Sequence, residues 1–177
     1  MEKGYRKMTK RKLSKLAACA ASMLLAVSGA AFAGTATVNV GVSANIANNC
    51  TVGNVSAIAF TYDPIVANHS SPAVATGTID VTCTSGAPWT LDLDNGLNNG
   101  HVILSQNRAM NSGSNYLSYD IYSDSGHSTV WLSGSGKDVT GTGSGAAQTQ
   151  TMYGQVPAAQ NVPAGTYNDT VVATVNF

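Results

Sequence analysis

The chain has 177 residues and a formal balance of nine Lys or Arg against nine Asp or Glu. Seven of the nine basic residues fall before position 16, so beyond residue 33 only Arg108 and Lys137 stand against eight aspartates, a net charge of −6. That excludes nucleic-acid binding, which needs clustered cations to neutralise phosphates, and the absence of any glutamate after Glu2 argues against a helical domain.

In chain order, residues 1–33 read as a secretory signal peptide. A basic region from Met1 to Lys15 precedes an apolar run from Leu16 to Val27, and Ala31-Phe32-Ala33 supplies a small-x-small cleavage site before Gly34. Met8 is a second candidate start, because MTKRKLSK alone provides a basic region. Leu16-Ala17-Ala18-Cys19 has the letters of a lipobox, but most of the apolar run lies after Cys19, the wrong order for lipidation. The run is also short for a membrane span. Removing 33 of 177 residues leaves 144, enough for one domain with its own core.

Residues 34–49 contain the most regular pattern in the chain. From Thr35 to Ile46 the even positions Ala36, Val38, Val40, Val42, Ala44 and Ile46 are apolar, and the odd positions are polar or glycine. Period two predicts a strand with one wholly apolar face, roughly 40 Å long at about 3.3 Å per residue. Terminal segments are loose unless tied down, so this face is expected to lie in a groove. Two arrangements satisfy it: pairing within its own domain as an ordinary first strand, or insertion into another molecule.

Two cysteines remain beyond the leader, Cys50 and Cys83. An even count in a secreted chain predicts a disulfide, and no C-x-x-C or nearby histidine pair supports a metal site. Further short strands follow. Ile58 to Tyr62 is stopped by Asp63-Pro64, and Ile65 to Pro72 reads as a loop. Thr78 to Thr84 turns Ile79, Val81 and Cys83 to one face; Trp89, Leu91 and Leu93 alternate with Thr90, Asp92 and Asp94. Asn95-Gly96 and Asn99-Gly100 are turn signals. After the brief apolar run Val102 to Leu104, Arg108-Ala109-Met110 leads through a polar turn to Leu117, Tyr119 and Ile121 on one face. Ser128 to Leu132 is expected as a short strand, Ser133 to Ala147 as a flexible Gly/Ser/Thr loop, Thr149 to Val156 as a strand, and Tyr167 to Phe177 as the last strand. Many short alternating strands, turn residues between them and one disulfide predict an all-β sandwich of immunoglobulin-like kind over residues 50–177.

Catalytic signatures are missing. His69, His101 and His127 sit in polar surroundings without mutual ligand spacing. Asp92-Leu93-Asp94-Asn95-Gly96 fails as a calcium loop, because its glycine comes one position early and its twelfth position is Ile103. Neither Gly141-Thr142-Gly143-Ser144-Gly145 nor Gly136-Lys137-Asp138 completes a phosphate loop, and no serine lies in G-x-S-x-G. No enzyme, cofactor or metal is expected. Trp89 shares the inward register of Leu91 and Leu93 and reads as core; Trp131 is the open one of the pair for stacking on a sugar.

In order, the alternating segment leading to Cys50-Thr51-Val52, Gly77-Thr78-Ile79-Asp80-Val81-Thr82-Cys83, Leu91-Asp92-Leu93-Asp94-Asn95-Gly96, Arg108-Ala109-Met110, Leu117-Ser118-Tyr119-Asp120-Ile121-Tyr122, Pro163-Ala164-Gly165-Thr166-Tyr167-Asn168-Asp169-Thr170 and Val175-Asn176-Phe177 resemble the archaic chaperone-usher pilins, whose domain is also called the spore coat protein U domain. The resemblance implies an incomplete immunoglobulin-like β-sandwich completed by a donor strand. It further implies a pilus subunit that polymerises head to tail with identical or related subunits, through a periplasmic chaperone and an outer-membrane usher, for surface attachment and biofilm formation. Residues 34–49 would be the donor segment, Phe177 the chaperone anchor, and Tyr167 a tyrosine corner. The chain's own pattern fits, with an unattached amphipathic strand at one end and a last strand running to Phe177 at the other; heterologous contacts of that kind do not close and give filaments. The alternatives are a surface adhesin or lectin domain, and a coat or matrix protein not assembled by an usher.

Overall fold

The computed structural model describes residues 33–134 and 136–177, so the leader, with Cys19 and both candidate starts, lies outside the described residues apart from Ala33. The chain divides into two units, Met1–Ser43 and Ala44–Phe177. In the first, residues 33–43 have no regular secondary structure, and Val38, Val40 and Val42 are exposed. The strand predicted over residues 35–46 therefore does not form. Period two fixes which side chains share a face, but a strand exists only where its N–H and C=O groups meet a neighbouring edge.

Among its described residues the second unit is all-β apart from one 3₁₀ turn, Asn99–His101. Its strands are β1 (Cys50–Ser56), β2 (Ala73–Cys83), β3 (Pro88–Leu93), β4 (Arg108–Ser112), β5 (Asn115–Tyr122), β6 (Val139–Thr142), β7 (Ala147–Val156) and β8 (Ala173–Asn176). They form a five-stranded sheet in the order β1-β2-β7-β5-β4 and a three-stranded sheet in the order β6-β3-β8, with every pairing antiparallel. Between the sheets lie Ile79 and Val81 of β2, Leu91 and Leu93 of β3, Leu117, Tyr119 and Ile121 of β5, and Met152 and Val156 of β7. These are the inward positions that alternation predicts. Cys50 and Cys83 face each other in register at the end of the β1–β2 ladder and are joined as a disulfide.

Four local expectations change. Residues 58–62 keep their alternation, with Ile58, Phe60 and Tyr62 turned inward and Ala59 and Thr61 outward, but have no ladder. Residues 128–132 make only a single bridge, Tyr122 to Val130; Trp131 is wholly buried there and donates its indole N–H to the Leu91 carbonyl at 2.8 Å. The glycine-rich stretch expected to be a flexible loop contains β6, which pairs with β3. Its glycines serve close approach: a side chain at Gly141 would collide with the Trp89 ring, and one at Gly143 with the backbone at Thr84. The last strand is laddered only over Ala173–Asn176, although side chains 167, 169, 171, 173 and 175 alternate inward as the pattern requires.

Candidate functional site

The second unit is open along one side. There a groove runs between a wall made by residues 57–65 and a lip made by residues 167–173. Its floor is apolar: Ile79, Leu93, Met110, Tyr119, Ile121 and Met152. Two cavities of about 600 and 850 Å³ share Ile58, Phe60, Met110, Tyr167 and Asn168 and so form one trough.

The wall follows from where β1 ends. The β1–β2 ladder stops at Ser56 opposite Thr78, and the chain then crosses the sheet instead of continuing along it. It can do so because two partners lack side chains. A Cβ on Gly154 of β7 would lie 2.5 Å from Phe60 Cζ and 2.7 Å from Ile58 Cγ2, and one on Gly77 of β2 would lie 2.9 Å from Ile58 Cγ1. Phe60 then meets Tyr119 edge-on, with centroids 6.2 Å apart. At the far end of the wall Tyr62 donates to the Pro157 carbonyl at 2.9 Å and accepts the Gln160 N–H at 2.9 Å. Gln160 is buried beside it, and its side-chain amide pairs with both the N–H and the C=O of Ser118 at 2.8 Å, standing in for the strand that Pro157 cannot continue.

The lip is tied from behind. The Tyr167 hydroxyl donates to the Pro163 carbonyl at 2.9 Å, the i−4 bond of a tyrosine corner. Asn168 exchanges both backbone bonds with Asn111, at 2.9 and 3.0 Å. Val172 accepts from the Asp94 N–H at 3.0 Å, while its own N–H goes to Asp94 Oδ1 at 2.9 Å. Asp169 reaches inward, accepting from Leu97 N–H at 2.9 Å, Asn98 Nδ2 at 3.2 Å and the Tyr119 hydroxyl at 2.8 Å. Burial, and then that bond to Asp169, push the Tyr119 phenol well above its usual range, so it stays a neutral donor.

Backbone alternation turns these ties into an edge. Residues 168 and 172 direct their backbone groups towards β4 and β3, and β8 continues that parity against β3. The N–H and C=O groups of residues 169, 171, 173 and 175 therefore point the other way, and among the described residues β8 has no strand on that side. The result is an apolar trough flanked by an unpaired strand edge. Behind the floor, buried Arg108 joins the two sheets by donating to the carbonyls of Asp94 at 2.8 Å and Trp131 at 2.6 Å. Asp120 lies 3.9 Å from its guanidinium; burial raises the Asp120 carboxyl above the ordinary range, against the N–H donors of Asn107.

The expected site residues fall in different places. Ala36, Val38, Val40, Val42, Ala44 and Ile46 are all exposed, in a segment without a ladder. Phe177 is 56 % exposed and follows the last laddered residue. His101 stacks flat on Tyr116 at 3.9 Å, and His127 meets Tyr122 edge-on at 5.2 Å. Among the described residues no three His, Cys, Asp or Glu side chains are grouped to hold a metal, and no helix is long and apolar enough to cross a membrane. Alternation predicts inward side chains at Ile58 and Phe60 but not that they wall a trough. Asp94 and Asp169 stand in the quoted motifs without an assigned role. Chemically, the trough suits an extended, apolar, uncharged segment: its charged members, Asp63 and Asp169, are already occupied by hydrogen-bond donors.

A family model described as the Spore Coat Protein U domain matches residues 35–174. The chain is 37 % identical over 176 residues to Protein U of Myxococcus xanthus, covering 94 % of this chain and 98 % of that one. Its fold is similar, with a TM-score of 0.52 and 24 % identity, to a chain in the crystal structure of the CsuC–CsuE chaperone–tip adhesion subunit pre-assembly complex from the archaic chaperone-usher Csu pili of Acinetobacter baumannii. That match covers 75 % of this chain and 40 % of the solved one.

Proposed function

The chain belongs to the Spore Coat Protein U domain family, and from that membership we propose that it is a structural subunit of a surface pilus, polymerised by donor-strand exchange. One observation carries the proposal: the apolar trough with its unpaired edge occurs in a chain whose residues 35–46 have the alternation of a strand and no ladder. Residues 36, 38, 40, 42, 44 and 46 of one copy lie in the trough of the next, and their backbone pairs with the free edge at residues 169–175. Strand addition of this kind draws affinity from main-chain bonds and specificity from alternate side chains, and chaperone–pilin complementation is a standing example of it. Residues 36–46 contain no charged group, so the contact desolvates no ion. Burying Val38, Val40, Val42 and Ile46 contributes about 1.5 to 3 kcal/mol each.

Before exchange, a periplasmic chaperone lends the strand and holds Phe177, and an outer-membrane usher hands the subunit on to the cell surface, where the filament supports attachment and biofilm formation. A second reading, a coat or matrix protein assembled without an usher, is favoured by the family's description and by the 37 % identity to Protein U.

The test is Val40→Asp together with Val42→Asp, followed by SDS-resistant polymer on the cell surface, with periplasmic subunit level and chaperone binding as controls. Loss of polymer from a subunit that still reaches the chaperone is expected. Polymer that persists overturns the donor assignment. A degraded subunit makes the segment an intrinsic strand and favours the second reading, as does polymer formed without an usher.

A further inference from the structure

An unpaired edge beside an empty-sided apolar trough is unstable by ordinary rules, because the lip gains by collapsing over the floor or by peeling away. We infer that Asp94 and Asp169 are positioning residues for the trough, two carboxylate clasps that hold the lip in strand geometry from behind so that an incoming strand meets a ready-made edge. The inference rests on the strand-addition reading and adds the groups that regulate how well the site receives its strand.

The geometry divides the work. Asp94 lies one residue past β3, where the ladder to β8 has begun to splay. Its Oδ1 accepts both Gly96 N–H and Val172 N–H at 2.9 Å, and its N–H donates to Val172 O, so residue 172 is gripped from both sides of its peptide. Asp169, three residues earlier, ties the lip to the floor through Tyr119 and to the 97–98 turn. Gly96 is required where the two clasps meet: it has φ of 71°, and a side chain there would collide with the Asp169 carboxylate. Between the clasps, Asp169, Thr170 and Val171 have no backbone hydrogen bond within the chain among the described residues. The clasps thus fix this stretch at its two ends and leave its backbone groups unspent. A lip already ordered lowers the entropy lost when a strand is added, which is how preorganisation raises affinity.

The experiment uses the full chain carrying Val40→Asp and Val42→Asp, whose own segment cannot compete, and a fluorescent peptide of sequence TATVNVGVSANI followed by anisotropy. In that background Asp94→Ala and Asp169→Ala are each expected to bind the peptide at least tenfold more weakly, with most of the change in the association rate. Asp94→Asn keeps the Oδ1 acceptor and is expected to bind within twofold of the parent. Asp124→Ala is the control for general loss of stability: it removes a comparable carboxylate cap, from Ser128 and Thr129, away from the trough. Its peptide affinity is expected to stay unchanged. Parental binding by both alanine variants, or an equal loss in Asp124→Ala, overturns the clasp while leaving strand addition standing. A parent that does not bind the peptide overturns strand addition itself. Should Asp169→Ala not fold, Tyr119→Phe removes one of its bonds and is expected to weaken binding about threefold; parental affinity there and in Asp94→Ala overturns the inference.

Discussion

At the scale of single residues, the trough depends on side chains that are missing as much as on those present. Gly154 is the clearest case, because Phe60 and Ile58 occupy the volume its Cβ would take. Gly154→Ala is expected to push the wall off the sheet and cost about 1 to 3 kcal/mol, the usual range for overpacking. Gly53→Ala, on β1 with nothing within 4 Å, is expected to change little. Matched urea titrations of the two variants check the difference. Arg108 works the other way. It is a wholly buried cation that donates from Nε to the Asp94 carbonyl and from Nη2 to the Trp131 carbonyl, while Nη1 has no hydrogen-bond partner among the described residues and burial itself disfavours its charged form. The Arg-Ala-Met motif thus supplies a strut between the sheets, and Met110 beside it lines the trough floor.

At the scale of elements, β1 is the strand that leads into the trough wall. It is an edge strand with five register pairs and an irregularity between Gly53 and Ser56, and it continues directly into the trough wall. Its partner β2 has ten pairs with β7 on the other side. The Cys50–Cys83 disulfide, closing a separation of 33 residues, ties this edge strand at its first residue to β2, which is paired on both sides. Replacing both cysteines by serine is expected to cost about 3 to 4 kcal/mol in the chain-entropy account. The measurement is the denaturant midpoint of oxidised protein against the double variant. Equal midpoints would mean that β1 is held by its ladder alone.

At the scale of the whole molecule, charge sets the response to acid. Backbone N–H donors at Ile65 and Val66 hold the Asp63 carboxyl below its usual range; Thr149 and Asn54 do so for Asp80, and Thr129 and Ser128 for Asp124. A carboxyl lowered by folding stabilises the fold above its unfolded value, about 3.9, and that stabilisation is lost as pH falls through the folded value. Asp120 runs opposite: its pKa is raised by burial, so its contribution is fullest below about 3.9 and is lost as pH rises through the raised value. Thermal melting followed from pH 7 downwards is therefore expected to hold level or rise slightly in mild acid and then fall below about pH 4. A monotonic loss beginning at neutral pH would remove Asp120 from this account.

The sequence by itself determined everything that depends on neighbours along the chain. Period-two alternation set the inward faces of β2, β3, β5 and β8, the even cysteine count indicated the disulfide, and residues 35–46 carry a regular period-two pattern that finds no ladder among the described residues. Only the tertiary structure decided what depends on which strands lie side by side. β6 emerged from a glycine-rich stretch because Trp89 needed the space that glycines leave, and Trp131 became core because a carbonyl of β3 met its N–H. Residues 58–62 became a wall instead of a strand because Gly77 and Gly154, far apart in sequence, let them cross the sheet. Alternation reports which side chains share a face; whether the backbone between them has a partner is a property of the neighbouring strand, and at residues 169–175 no such neighbour lies among the described residues.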